Sequence, residues 1–326
     1  MKKVLLLTPR LDVMFKKGEV PSQRGPIEPI RVHWKNFTER VVAEYSKRND
    51  VSFKVLELPL WQITPELVNE LKPVIVFIPH KENHNFPVEN SEVYYYMQTP
   101  FPWMFSIDSK GWGAGSSKYP FDDFNNESDD DKIFRILQDR MNDNQSKFNQ
   151  PAHVQNLVLP KDYVFFPCQI PHDETIRFHS KVTVEEALER TCIATKNIEM
   201  NLIVKGHPVN PGSMHSLKEI VKKYSHANWY DDVSIHQLIK NARCTVTVNS
   251  GVGFESLLHK IPVVTFGRSE YDSVTYKVDD KTDLEKTISL ASDSFFNLRD
   301  ICKFYNHWWK YCYDTNNADN FQRLPN

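Results

Sequence analysis

Along the whole chain, short apolar runs alternate with longer stretches in which apolar residues recur at helical spacing. In the first half the runs are "KVLLLTP" (3–9), "VSFKVLEL" (51–58), "PVIVFIPH" (73–80) and "VYYYMQT" (93–99). Between them lie the helical patterns "RVHWKNFTERVVAEYSKR" (31–48) and "PELVNELK" (65–72). The second half repeats the alternation: strands at 163–171, 200–208, 244–250 and 261–267, and helices at 183–197, 215–225, 234–242 and from Gly251 onward. Apolar strand cores between amphipathic helices predict parallel sheets covered on both faces, an α/β fold. The polar, proline-bearing stretch at 144–162 predicts a linker, dividing the chain into domains 1–155 and 156–326. A final helix over about 283–313 closes the second half. The pattern therefore predicts two Rossmann-like domains facing a cleft, with ligands beyond the carboxyl ends of the strands.

Two stretches break the alternation. "PFPWMFSIDSKGWGAGSSKYP" (100–120) is aromatic and glycine-rich and reads as a long surface loop at a sheet edge. "DDFNNESDDD" (122–131) is acidic and reads as a solvated loop with helix-capping carboxylates; a metal site there has little support.

The length, 326 residues, fits two domains. Forty basic against 42 acidic residues leave a formal charge of −2, with no basic excess for nucleic acid. The start, "MKKVLLLTP", has too short an apolar core for a signal peptide, and no apolar run approaches the roughly 20 residues of a membrane span. The expected setting is cytoplasmic; work at the inner face of a membrane would be peripheral. Five dispersed cysteines without a CxxC pair predict free buried thiols.

The chemistry concentrates at strand-to-helix joints. In "TVTVNSGVGFESLL" small residues follow a strand and open a helix, a place where backbone amides and the helix dipole favour an anion. Asn249, Ser250 and Gly251 are the candidates there, although simple helix capping accounts for the same residues. "LIVKGHPVNPG" delivers Lys205 and His207 to the same carboxyl edge, where they can neutralise a departing phosphate. Glu255, one turn into the later helix, is expected to face the cleft and accept ribose hydroxyls. Gln169 and Asp173 follow the first strand of the second domain and could hold sugar or base groups, or Asp173 could merely cap a helix.

The series "FFPCQIPHDETI", "VKGHPVNPG" and "WYDDVSIHQLIKNARCTVTVNSGVGFESLLHKIPVVTFG" resembles the capsule polysaccharide biosynthesis family, which includes bacterial Kdo transferases. More distantly, the His-Pro pair and the serine motif are similar to those of bacterial sialyltransferases with the two-domain glycosyltransferase-B (GT-B) fold. The resemblance covers residues 160–270 and implies a glycosyltransferase that uses a nucleotide sugar, typically CMP-Kdo, without a cofactor or catalytic metal. It implies that His207 and Ser250 contact the donor phosphate and Glu255 the ribose. The acceptor would be a glycan or glycolipid.

The first half carries no such correspondence. From its residues alone, Asp108, beside Lys110 and Trp112, is a candidate base or nucleophile, with a turn-forming role as the alternative. Trp112 could stack on a sugar, and Arg10, Arg24 and Lys110 could meet an anionic acceptor. Three other functions stay open at this level: transfer from a UDP- or GDP-sugar, UDP-sugar epimerisation, and non-catalytic nucleotide-sugar binding.

Overall fold

The structure, a computed structural model, describes residues 1–10, 28–209, 211–279 and 281–326. The chain divides into two compact units: Met1–Tyr119 with Lys147–Asn149 and Tyr311–Asn326, and Pro120–Ser146 with Gln150–Lys310. This differs from a single boundary at 155/156. The helix after the acidic run packs within the second unit, and the final residues return to the first.

The first unit contains β1 (Lys2–Pro9), α1 (Glu28–Tyr45), β2 (Val51–Leu58), α2 (Pro65–Leu71), β3 (Ile75–Pro79), β4 (Glu92–Gln98) and β5 (Met104–Asp108). The second contains α3 (Lys132–Asn142), β6 (Tyr163–Pro167), α4 (Glu174–His179), α5 (Val184–Asn197), β7 (Asn201–Lys205), α6 (His215–Lys222), β8 (Ala227–Tyr230), α7 (Ile235–Lys240), β9 (Cys244–Thr247), α8 (Val252–Leu258), β10 (Val263–Thr265), β11 (Tyr276–Lys277), α9 (Leu284–Asp293) and α10 (Leu298–Trp309). The chain then supplies β12 (Cys312–Asp314) to the first sheet. The fold is α/β, with two mostly parallel six-stranded sheets ordered β12-β5-β4-β3-β1-β2 and β11-β10-β9-β6-β7-β8.

Each central strand is apolar on both faces because both faces are covered. In β1, Val4 and Leu6 join one core with Trp34, Phe37 and Val41 of α1. Leu5 and Leu7 point the other way, to Val68 of α2 and Phe86. In the second unit Val164, Phe166, Leu202 and Val204 face α5 and α6, while Phe165 and Ile203 face Leu238 and Ile239 of α7. Thr64 caps α2 and Thr183 caps α5 through their hydroxyls, each accepting from the backbone N–H three residues on.

Two local expectations need correction, and a third needs an addition. Residues 100–120 are not a surface loop: Phe101, Trp103 and Trp112 are buried, and β5 pairs antiparallel with β4 because the aromatic side chains need cover. The final helix is two helices, since Ser294 turns extended and Asn297 recaps the chain through Asp300 N–H. The acidic run is largely exposed, as expected, and Asp130 accepts from the Lys132 N–H at the start of α3, but the run is also tied to α10. Glu127 meets His307 and Lys310 of α10, Arg299 reaches Asp129 at 2.8 Å, and Asn306 donates to the carbonyls of Ser128 and Asp130. The hydrogen bond from Lys310 holds the Glu127 carboxyl below its ordinary pKa. All five cysteines are buried and free. Among the described residues, no helix is long and apolar enough to cross a membrane.

Candidate functional site

At the carboxyl ends of β6, β7 and β9 the second sheet gathers most of the donor candidates. Because β6 lies between β7 and β9, the His207 loop and the Asn249–Gly251 turn are separated by two strand spacings, about 10 Å along one edge. That span is within the length of a nucleotide.

The turn after β9 is braced by its neighbours. Gln169 donates from Nε2 to Asn249 Oδ1 at 2.9 Å, and its Oε1 accepts from Asn249 N–H at 3.0 Å. Asn249 Nδ2 in turn donates to the carbonyls of Thr175 and Arg268. The two amides are therefore spent on fixing the turn, which corrects Gln169 and Asn249 from ligand donors to supports. Asp173 caps α4, accepting from Thr175 N–H and Oγ1, so the capping alternative is the one seen.

The amides at the start of α8 are less exposed than the joint suggested. Val252 N–H donates to Ser250 Oγ, Gly253 N–H to the Ser250 carbonyl and Phe254 N–H to the Gly251 carbonyl. The glycines serve packing rather than unusual backbone angles: Gly251 has ordinary helical dihedrals. A Cβ on Gly253 would lie 2.2 Å from Cζ of Tyr271, whose hydroxyl donates to the Ser250 carbonyl. Tyr271 thus supports the turn from below, a role that no local motif around "SEYDS" announces.

The β7 joint has a comparable design. Lys205, 4% exposed, donates from Nζ to the Asp231 carbonyl at 2.7 Å, and burial lowers its pKa to about 8. Trp229 Nε1 and Lys218 Nζ both bind the Asp231 carboxylate. A Cβ on Gly206 would meet Asp231 Oδ1 at 2.4 Å and Trp229 Cζ2 at 2.8 Å, so only glycine lets β7 leave the sheet here. His207 follows, half-buried, with Nδ1 against the Val209 backbone N–H at 3.2 Å and carbonyl at 3.0 Å. The ring is oriented through Nδ1 in either tautomer.

Glu255 is not the open carboxylate expected from sequence. It is 3% exposed, hydrogen-bonded to the Ser146 hydroxyl, and its Oε1 has no partner among the described residues. Burial raises its pKa from 4.5 to about 7. The folded protein therefore binds an extra proton between about pH 4.5 and 7, and stability falls as pH rises through that window. Glu255→Gln is expected to flatten that slope and to stabilise the protein at pH 8 by roughly 2 kcal/mol, read by urea unfolding at several pH values. Equal slopes in the two proteins would refute the assignment.

In the first unit, Asp108 at the end of β5 accepts from Lys110 N–H, Gly111 N–H, Ser117 N–H and the hydroxyls of Ser116 and Ser117. Both oxygens hold the loop, so the turn-forming reading fits and the catalytic reading does not. Lys110 is exposed, whereas Trp112 on the same loop is buried, its indole Nε1 without a partner among the described residues. Trp112 is a core anchor rather than an open stacking platform. Arg10 is exposed where β1 ends, its N–H bound to the Leu58 carbonyl. Arg24 lies outside the described residues.

Sequence reading missed Glu82. This carboxylate is 2% exposed and packs against Gly111 and Gly115, where a Cβ on Gly115 would approach its Cδ to 2.4 Å. Its Oε2 lies 3.1 Å from Nδ1 of the more exposed His84. The closely spaced glycines were the available signal. Among the described residues no three His, Cys, Asp or Glu side chains form a metal-binding group.

Comparison with known proteins adds a family. Residues 117–288, just over half the chain, match the profile described as "Capsule polysaccharide biosynthesis protein". The chain is similar to the capsule polysaccharide export protein KpsS of Escherichia coli, 27% identical over an alignment of 133 positions that covers 36% of this chain and 34% of KpsS. It is also similar to the capsule polysaccharide modification protein LipB of Neisseria meningitidis, 23% identical over 34% of this chain and 29% of LipB. The matches thus span about a third of these curated relatives. Among solved structures, the KpsC β-Kdo 2,7-transferase of Thermosulfurimonas dismutans aligns over 95% of this chain and 100% of its own, with 16% identity and a TM-score of 0.47.

Proposed function

The chain belongs to the capsule polysaccharide biosynthesis family, and on that premise we propose that it is a glycosyltransferase acting on a nucleotide-sugar donor, CMP-Kdo first among the candidates. One observation carries the reading: the loops bearing His207 and Ser250 leave parallel strands β7 and β9 at the same carboxyl edge of the second sheet, two strand spacings apart, with Gln169 and Asn249 bracing the turn between them.

In this reading the donor phosphate sits at that edge. His207 Nε2 and the Ser250 hydroxyl donate to its oxygens, and the Lys205 ammonium adds positive potential from beneath. The bond between the sugar's anomeric carbon and the phosphate oxygen breaks with its electron pair leaving on the phosphate. The acceptor hydroxyl oxygen forms the new bond to that carbon, and its proton passes to an oxygen of the departing phosphate. Hydrogen-bond donors set in advance around the leaving oxygens stabilise the developing charge. Glu255, buried behind the turn, is left out of the donor contacts. The acceptor, a glycan or glycolipid, is assigned to the first unit, with Arg10 and Lys110 as its anion contacts.

The first test is thermal. CMP is expected to raise the melting temperature more than UDP or GDP at equal concentration, because only a ligand that prefers the native state shifts it. Equal shifts for the three nucleotides would remove the cytidine assignment, and no shift with any of them would remove the donor site.

A further inference from the structure

Away from that edge, the second unit contains a cavity of about 500 Å³ between the ends of α3, α7 and α8 and the segment 153–159. Its volume falls within the range of small-molecule sites. Leu157 and Leu159 supply apolar wall, Asn142 an amide, Lys240 an ammonium, and His153 and His259 imidazoles. Among the described residues no aspartate or glutamate lines it.

The histidines are set in a directed chain. His236 is 3% exposed, and its Nε2 lies 2.9 Å from the Gln145 carbonyl, which can only accept. That nitrogen therefore carries the proton, and Nδ1 of His236 presents a lone pair to His259 Nε2 at 3.1 Å. His259 Nε2 must then be the donor, leaving His259 Nδ1 as an acceptor. Among the described residues no protein donor meets it. Burial holds both rings neutral, with pKa values lowered to about 3 and about 4. Also in the lining, His153 Nε2 lies 3.2 Å from Asn144 Oδ1, which accepts from Ser234 as well. A hydrophobic core would have no need of a second imidazole at the His259 position. A cavity wall gains from it a fixed acceptor for a ligand hydroxyl.

We propose that this cavity is a second saccharide site, separate from the donor site, that takes an acidic sugar unit. Hydroxyls of the sugar donate to His259 Nδ1 and His153 Nδ1, its carboxylate faces Lys240, and its less polar ring face lies on Leu157 and Leu159. Naming the ligand as part of the growing or accepting glycan rests on the transferase reading; the saccharide chemistry of the cavity does not.

The test is calorimetric titration of the full chain with trigalacturonic acid, and with maltotriose as the neutral match. Trigalacturonic acid should bind in the range of about 1 mM, with Lys240→Gln weakening it about fivefold and His259→Leu by about the same factor. Lys240 is exposed, so its variant should fold even if His259→Leu does not. Maltotriose binding as tightly as the acid would overturn the acidic assignment, and acid binding unchanged by Lys240→Gln, or absent up to about 10 mM, would overturn the site. CMP binding, measured in the same proteins, should be unchanged by both substitutions. Absence of any response to CMP, UDP and GDP in the unsubstituted protein would sink the transferase reading while leaving the titration result standing.

Discussion

Gly253→Ala is expected to destabilise the second unit by about 3 kcal/mol, at the upper end of the cost of overpacking a core. The added methyl would sit 2.2 Å from the ring of Tyr271, which is 1% exposed and packs edge-on against Phe254 at 5.0 Å between centroids. Neither partner has room to yield: Tyr271 is held by its bond to Ser250, and Phe254 by Trp308 and Tyr305 of α10. Chemical unfolding reads the effect. Tyr271→Phe is the companion, losing only the hydroxyl and about 1 kcal/mol. If Gly253→Ala costs less than Tyr271→Phe, the close contact is not what selects glycine.

His207→Ala is expected to lower transfer at least tenfold, the scale of losing a positioned acid–base or charge-stabilising group. The ring is only half-buried at a strand end and contributes little packing, so circular dichroism and melting temperature should stay close to those of the parent. Steady-state transfer from CMP-Kdo measures the result. His207→Gln, which keeps an N–H donor, should recover part of the loss if the residue donates a hydrogen bond, and none if it moves a proton. Turnover unaffected by both substitutions would take His207 out of the chemistry.

The strands and helices of both units were legible because burial on two faces leaves uninterrupted apolar runs, as in Val4–Leu7 and Tyr163–Phe166. The carboxyl edge of the second sheet was legible for the same reason, since a strand followed by small residues and a helix can end in only one way. The division of labour at that edge was not. Gln169 and Asn249 have the composition of ligand donors, yet they satisfy each other across β6 and β9, which are about 80 residues apart in sequence. Gly253 reads as a loop glycine until Tyr271 is seen beneath it. Asp108 and Glu82 show the same limit: how many donors surround a carboxylate depends on where a loop folds back, and spacing along the chain does not encode that.

The first sheet also depends on residues that are translated long after it. β5 would be an edge strand in a fragment ending at Tyr119, and it is β12, beyond the whole second unit, that covers it. The same returning segment places Phe321 on Phe37 and gives Tyr45 and Arg48 the Pro325 carbonyl to bind. During synthesis, β5 therefore stands bare while the second unit emerges, and its open ladder is a site for mispairing until the return is made. The sheet whose first strand is made earliest is the one whose last strand is made latest.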